Sequence, residues 1–137
     1  MVARERFAWI DLIGMILAYG FFFIAFLQSE RTPLTLVILF AIATAIRLAI
    51  IAGGLLTLSA EGRAELWGKP DERDRAVTRR SGPAAYYVLL LAMIAIVFMA
   101  FYCDGITVAT AGLAGLVAAD IVRSAATVAG YRWGWRD

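Results

Sequence analysis

The sequence predicts an all-α protein, a four-transmembrane-helix bundle forming one domain over residues 1–137 with both termini cytoplasmic. Three observations predict it. The chain is 62% hydrophobic and 18% charged, against ~45–50% and ~25% in an ordinary soluble domain. Four apolar stretches each reach the roughly 20 residues a helix needs to cross about 30 Å of hydrocarbon. The basic residues outside these stretches gather on one side of them. This composition leaves too little polar surface to clothe a core in water, which excludes a soluble enzyme, a disordered regulator and a free nucleic-acid-binding domain. Thirteen basic and eleven acidic side chains, net +2, are too balanced for direct nucleic-acid binding.

The stretches run from about Phe7 to Leu27, Pro33 to Leu58, Pro83 to Cys103 and Gly105 to Gly130. None alternates apolar and polar residues in the short segments of a membrane β-barrel. Backbone groups in lipid must be satisfied within their own segment, so each stretch reads as a helix. The first follows Arg4 and Arg6, as a signal peptide would. It is longer than a usual h-region and leads into Gln28-Ser29-Glu30-Arg31 with no small-residue cleavage site, so a retained helix is expected.

Short links at 28–32 and at Asp104 join the first two and the last two spans, whereas residues 59–82 form a long charged loop. That loop carries Arg63, Lys69, Arg73, Arg75, Arg79 and Arg80; the N-terminus adds Arg4 and Arg6, the C-terminus Arg132 and Arg136. The other side holds Arg31 alone, so the basic side is expected in the cytoplasm. Trp9, Trp67, Trp133 and Trp135 fall on the same side, at headgroup level. Arginine in place of lysine, beside abundant alanine, fits a GC-rich bacterial genome, and the expected location is the bacterial cytoplasmic (inner) membrane. Ala25-Phe26 and Arg47 in the first half have counterparts in Ala100-Phe101 and Arg123. Two readings stand: two duplicated hairpins in parallel orientation, or the general likeness of any two apolar hairpins.

Within the spans lie Asp11, Arg47, Asp120 and Arg123, all in the cytoplasmic half. Ionisable groups at membrane depth face a bundle interior, a wet cavity or a partner charge. The expected pairs are Arg47 with Asp120, and Arg123 with Asp11 or Asp120. A functional reading makes Asp11 or Asp120 a proton or cation site. The structural reading, in which the pairs set helix register, is preferred because each acid has a local arginine, which cannot release its proton. Small residues recur every fourth position at Ala41, Ala45, Ala49 and Gly53, and again at Ala111, Gly115 and Ala119. Such stripes allow close helix packing in lipid, within one chain or between two; four helices enclose little, so a homodimer is expected.

In the long loop, Asp71 after Pro70 is an N-cap with Asp74 placed for a capping box. Asp71 and Arg75 share a helical face, suited to an ion pair, and acids before arginines complement the helix dipole. A short cytosolic helix is expected here, bent at Gly82-Pro83 before the third span. The segment Asp71, Glu72, Arg73, Asp74, Arg75, Arg79 and Arg80 is either a connector whose arginines touch anionic lipid or a docking surface for a cytosolic protein. Tyr131-Arg132-Trp133-Gly134-Trp135-Arg136 reads as an interfacial anchor. The chain has no histidine, hence no Ser-His triad or imidazole shuttle. It also lacks a Gly-rich phosphate loop, and no cofactor, metal or enzymatic activity is expected. Cys103, the only cysteine, is expected to be an ordinary buried thiol, with a crosslink between two chains as the alternative.

Asp71-Glu72-Arg73-Asp74, the Ala84-Ala85-Tyr86-Tyr87-Val88-Leu89-Leu90 run, and Asp120-Ile121-Val122-Arg123 through Tyr131-Arg132-Trp133-Gly134 resemble a family. It comprises small four-helix predicted membrane proteins of bacteria and archaea, a domain of unknown function with a D-E-R-D/E cytosolic loop before a Tyr-rich third helix. Members often end in Tyr-Arg-Arg-Gly, where Trp133 departs. The likeness spans about residues 70 to 135. It implies the same topology, brings no catalytic residues, and points the loop towards a partner such as a small DNA-binding regulator. Asp11 is also placed like the first-helix acid of the small multidrug resistance transporters; the long charged loop, Arg47 and Arg123 depart from that pattern. The expected function is a membrane-anchored interaction or regulatory protein presenting residues 61–82. The alternative is a small proton- or cation-coupled transporter using Asp11 or Asp120, and a structural subunit of a larger complex is a third option.

Overall fold

The computed structural model describes residues 3–134, in which every regular element is helical. The elements are α1 (Ala3–Gln28), α2 (Pro33–Leu56), α3 (Ala60–Trp67), α4 (Glu72–Met99) and α5 (Gly105–Trp133). Four of them, α1, α2, α4 and α5, are long and apolar enough to cross a membrane.

Local chemistry sets the starts. Thr32 accepts from the Thr35 N–H, with Pro33 occupying the first turn, where its missing donor costs nothing. Ser59 and Asp104 cap α3 and α5 in the same way, accepting from Gly62 N–H and Thr107 N–H. The Asp71–Asp74 capping box opens α4, with Asp71 N–H donating to Asp74 Oδ2 at 3.0 Å. Asp71 is committed to that cap, and the expected Asp71–Arg75 ion pair does not form among the described residues.

Two boundaries differ from expectation. The loop of 59–82 contains a helix of its own, α3, seeded by the Ser59 cap. The expected bend at Gly82-Pro83 does not end a helix: α4 runs unbroken through Pro83. Proline removes one i→i−4 bond, and packing on both sides of it holds one helix. Val77 sits on Gly130 and Ala92 on Gly115, where a Cβ would meet Val77 Cγ2 at 2.9 Å and Ala92 Cβ at 2.6 Å.

The helices associate as two antiparallel hairpins, α1 with α2 and α4 with α5, joined by contact of α1 with α5, while α3 packs on α1. The bundle is therefore open, in the order α2, α1, α5, α4. Enclosure follows that order: 39% of the apolar window of α1 is buried, against none of that of α4. The core is an aromatic cluster of Met15, Tyr19 and Phe22 with Ala43 and Val117. Phe22 stands edge-on to Phe40 with ring centroids 5.5 Å apart, a favourable aromatic geometry.

The two small-residue stripes have different fates. Gly115 and Ala119 lie in the α4–α5 seam, Ala119 buried and Ala111 half-buried. On α2 the stripe takes no part in packing within the chain: Ala45, Ala49 and Gly53 are exposed, and a Cβ on Gly53 would meet nothing within 4 Å. The helix turns its Ala43–Arg47–Ile50–Gly54 side to α1 instead, two residues or about 200° round, where Gly54 meets Ile10 and Ile50 meets Gly14. Cys103 is exposed rather than buried, because α4 ends at Met99 and leaves it in the turn before α5. Of the expected interfacial anchor, Trp133 is exposed, and Trp135 and Arg136 lie outside the described residues.

Candidate functional site: a charged triad beneath a polar cavity

On α1 the inward stripe runs Ala8, Asp11, Met15, Ala18, Phe22 and Phe26, Asp11 half-buried and the others buried, in steps of three and four that keep one face towards the core. The corresponding stripe of α5 is Val117, Asp120, Ser124, Val128 and Tyr131. Arg47 interrupts the inward face of α2. Three charged side chains are thus delivered to one point.

Arg47 bridges both acids. Its Nη2 donates to Asp11 Oδ1 at 2.9 Å and its Nη1 to Asp120 Oδ2 at 3.3 Å. Ser124 Oγ donates to the second Asp11 oxygen at 3.1 Å, and the guanidinium lies 5.9 Å from the Tyr19 ring centroid, a cation–π distance. Arg47 Nε is buried and finds no hydrogen-bond partner among the described residues. At 1.5 Å per residue, Arg47, Asp120 and Asp11 lie about 21, 22 and 26 Å along their helices from the 28–33 and 103–105 end. In a hydrocarbon core of about 30 Å that is the far third.

A cavity of about 310 Å³ opens over the triad, lined by Arg4, Asp11, Arg47, Asp120, Arg123 and Tyr131 among others. Arg123 thus reaches the site that the sequence grouped it with. Its expected pairing with Asp11 or Asp120 does not form: both acids are engaged by Arg47, and Arg123 makes no ion pair among the described residues. Arg123 stands three residues after Asp120, a spacing that permits a pair, but Asp120 is taken by Arg47 from α2 and Arg123 is exposed.

A second polar cluster clasps the connection between α3 and α4 to the membrane helices. Arg4 Nη1 pairs with Asp74 Oδ2 at 2.5 Å, and Arg4 Nη2 donates to the carbonyls of Glu65 and Gly68 at 2.9 and 3.0 Å. Tyr131 Oη donates to Asp74 Oδ1 at 2.7 Å, and Arg73 donates to the Tyr131 carbonyl. Asp74 therefore serves three donors: the cap, Arg4 and Tyr131. Of the expected docking residues, Asp71, Arg73 and Asp74 are occupied in holding the segment, while Glu72, Arg75, Arg79 and Arg80 are exposed on α4. Arg4 and Tyr131 were assigned from the sequence to topology and anchoring, not to this cluster. The available signal was periodicity, since Arg4 continues the Ala8–Asp11 face by one turn and Tyr131 continues Ser124–Val128.

Chemically, the triad is one guanidinium shared by two carboxylates, a cation that does not release its proton. Among the described residues no three metal-ligating side chains come together. The architecture is a helical bundle with four helices long and apolar enough to cross a membrane and a cavity over the charged triad. No protein-family model, curated protein or solved structure matches this chain.

Proposed function

We propose that the chain is a non-enzymatic, membrane-anchored interaction or regulatory protein of the bacterial inner membrane. Both termini lie in the cytoplasm, and residues 61–82 are presented to a cytosolic protein such as a small DNA-binding regulator. The observation that carries this reading is the clasp. Arg4, Asp74, Tyr131 and Arg73 fix the α3–α4 connection against the membrane helices, so its outward face is held in one geometry. That face shows Arg75 and Arg79, and Trp67 at 83% exposure. A pre-ordered surface loses little entropy on docking. The unpartnered Ala45–Ala49–Gly53 face of α2 supports a homodimer, because small residues let helices of two copies approach in lipid.

The test is purification from native membranes in mild detergent, with mass spectrometry of co-eluting proteins and light scattering for assembly mass. A stoichiometric cytosolic protein, lost from an Arg75→Glu/Arg79→Glu variant that still elutes as a folded species, supports the reading. Absence of any stoichiometric partner refutes it.

The cavity favours a second reading, a proton- or cation-coupled transporter, since it leads to Asp11 and Asp120. That reading requires Asp11→Asn or Asp120→Asn to abolish flux in proteoliposomes without loss of fold.

A further inference from the structure

We infer that the groove between α4 and α5 binds an anionic phospholipid, with an acyl chain along Leu89 and Leu116 and the phosphate on Arg123. The inference stands apart from the function proposed above. The groove encloses about 340 Å³, within the range of ligand-sized sites. Gly82, Ala85 and Ala119 give it a floor of small side chains, Leu89 and Leu116 its apolar walls, and Arg123 stands at one end.

The charge argument selects the occupant. Arg123 lies about 27 Å along α5 from its start, near the far edge of a hydrocarbon core, where an arginine needs an anion. The chain offers it none among the described residues, because Asp11 and Asp120 are bound to Arg47. Asp120 also borders the groove, and its charge is answered by Arg47 on the other side. A zwitterionic lipid would bring its own headgroup cation beside the phosphate, in competition with Arg123. A free phosphate would leave the apolar walls unfilled. An anionic phospholipid satisfies both, and the apolar window of α4, with none of it buried, leaves the groove open to the bilayer.

Lipid-stripped protein in mild detergent is titrated with phosphatidylglycerol or with phosphatidylcholine of the same acyl chains, and bound lipid is counted by native mass spectrometry. Phosphatidylglycerol should be retained about fivefold better, the effect of about 1 kcal/mol per basic side chain at a membrane surface. Arg123→Gln should abolish the preference and Arg123→Lys should keep most of it. Leu89→Trp, which fills the groove, should lower retention of both lipids, and glycerol phosphate should displace neither. Equal retention by the wild-type chain, or a preference that survives in Arg123→Gln, overturns the proposal. Displacement by glycerol phosphate overturns it in favour of a free-anion site. Should Arg123→Gln fail to fold, the wild-type ratio and the glycerol phosphate competition decide.

Discussion

Replacing Arg47 with leucine leaves two carboxylates facing one site with no cation between them. Hydrogen bonds to charged groups contribute ~1.5–3 kcal/mol each. The Asp11 bond, 2.9 Å long to a side chain 24% exposed, takes a full share of about 2 kcal/mol; the Asp120 bond, 3.3 Å to one 42% exposed, takes about half of that after solvent screening. The expected loss is about 3 kcal/mol, at the low end for breaking a buried ion pair by removing one partner. Arg47→Lys should fall between, because an ammonium cannot span both acids with a rigid fork. The decisive variant is Asp11→Asn/Arg47→Leu/Asp120→Asn, which removes all three charges and should recover most of the loss, since neutralising a whole buried network is often neutral or stabilising. Thermal or SDS unfolding in detergent, followed by helical circular dichroism, measures each. The reasoning is refuted if Arg47→Leu is as stable as wild type, or if the triple variant is no more stable than the single one.

Three further outcomes are expected. Gly115→Ala should destabilise by about 1–3 kcal/mol through overpacking, since its Cβ would meet Ala92 Cβ at 2.6 Å, whereas Gly53→Ala, with open space around it, should be neutral or stabilise by up to about 1 kcal/mol; the same unfolding assay separates them. Tyr131→Phe removes the hydroxyl from Asp74 and should cost about 1–2 kcal/mol, with faster proteolysis between α3 and α4 as the local readout. The Asp104 carboxyl is held below its ordinary value, chiefly by the hydrogen bond from the Thr107 side chain. A depressed acid stabilises above its unfolded pKa and loses that contribution as pH falls through the folded one. The protection of amides in the first turn of α5, relative to their intrinsic exchange rates, should therefore fall on acidification below about pH 4, and Asp104→Asn should remove that dependence.

The four long helices were legible in the sequence because span length and hydropathy are properties of each segment alone. So was the start of α4, since a capping box involves only residues three apart. The Arg47–Asp120 pair was readable from charge balance at membrane depth. The Arg123 pairing was misread because Arg47, from another helix, takes both acids. Which face of α2 turns inward was not legible, because α2 is apolar nearly all round and hydrophobicity sets no direction within lipid. The Gly54–Ile10 and Gly14–Ile50 contacts settle it, and with it the exposure of Ala45, Ala49 and Gly53. Persistence of α4 through Pro83 likewise depends on α5 lying alongside. By itself the sequence determined that four helices are long and apolar enough to cross a membrane and that their charges gather towards one end. Only the tertiary structure decided that Arg47 takes both acids, that Arg4 and Tyr131 converge on Asp74, and that Arg123 is left facing outward. Those outcomes depend on helix rotation and on contacts between residues 36 to 73 positions apart, which no local pattern encodes.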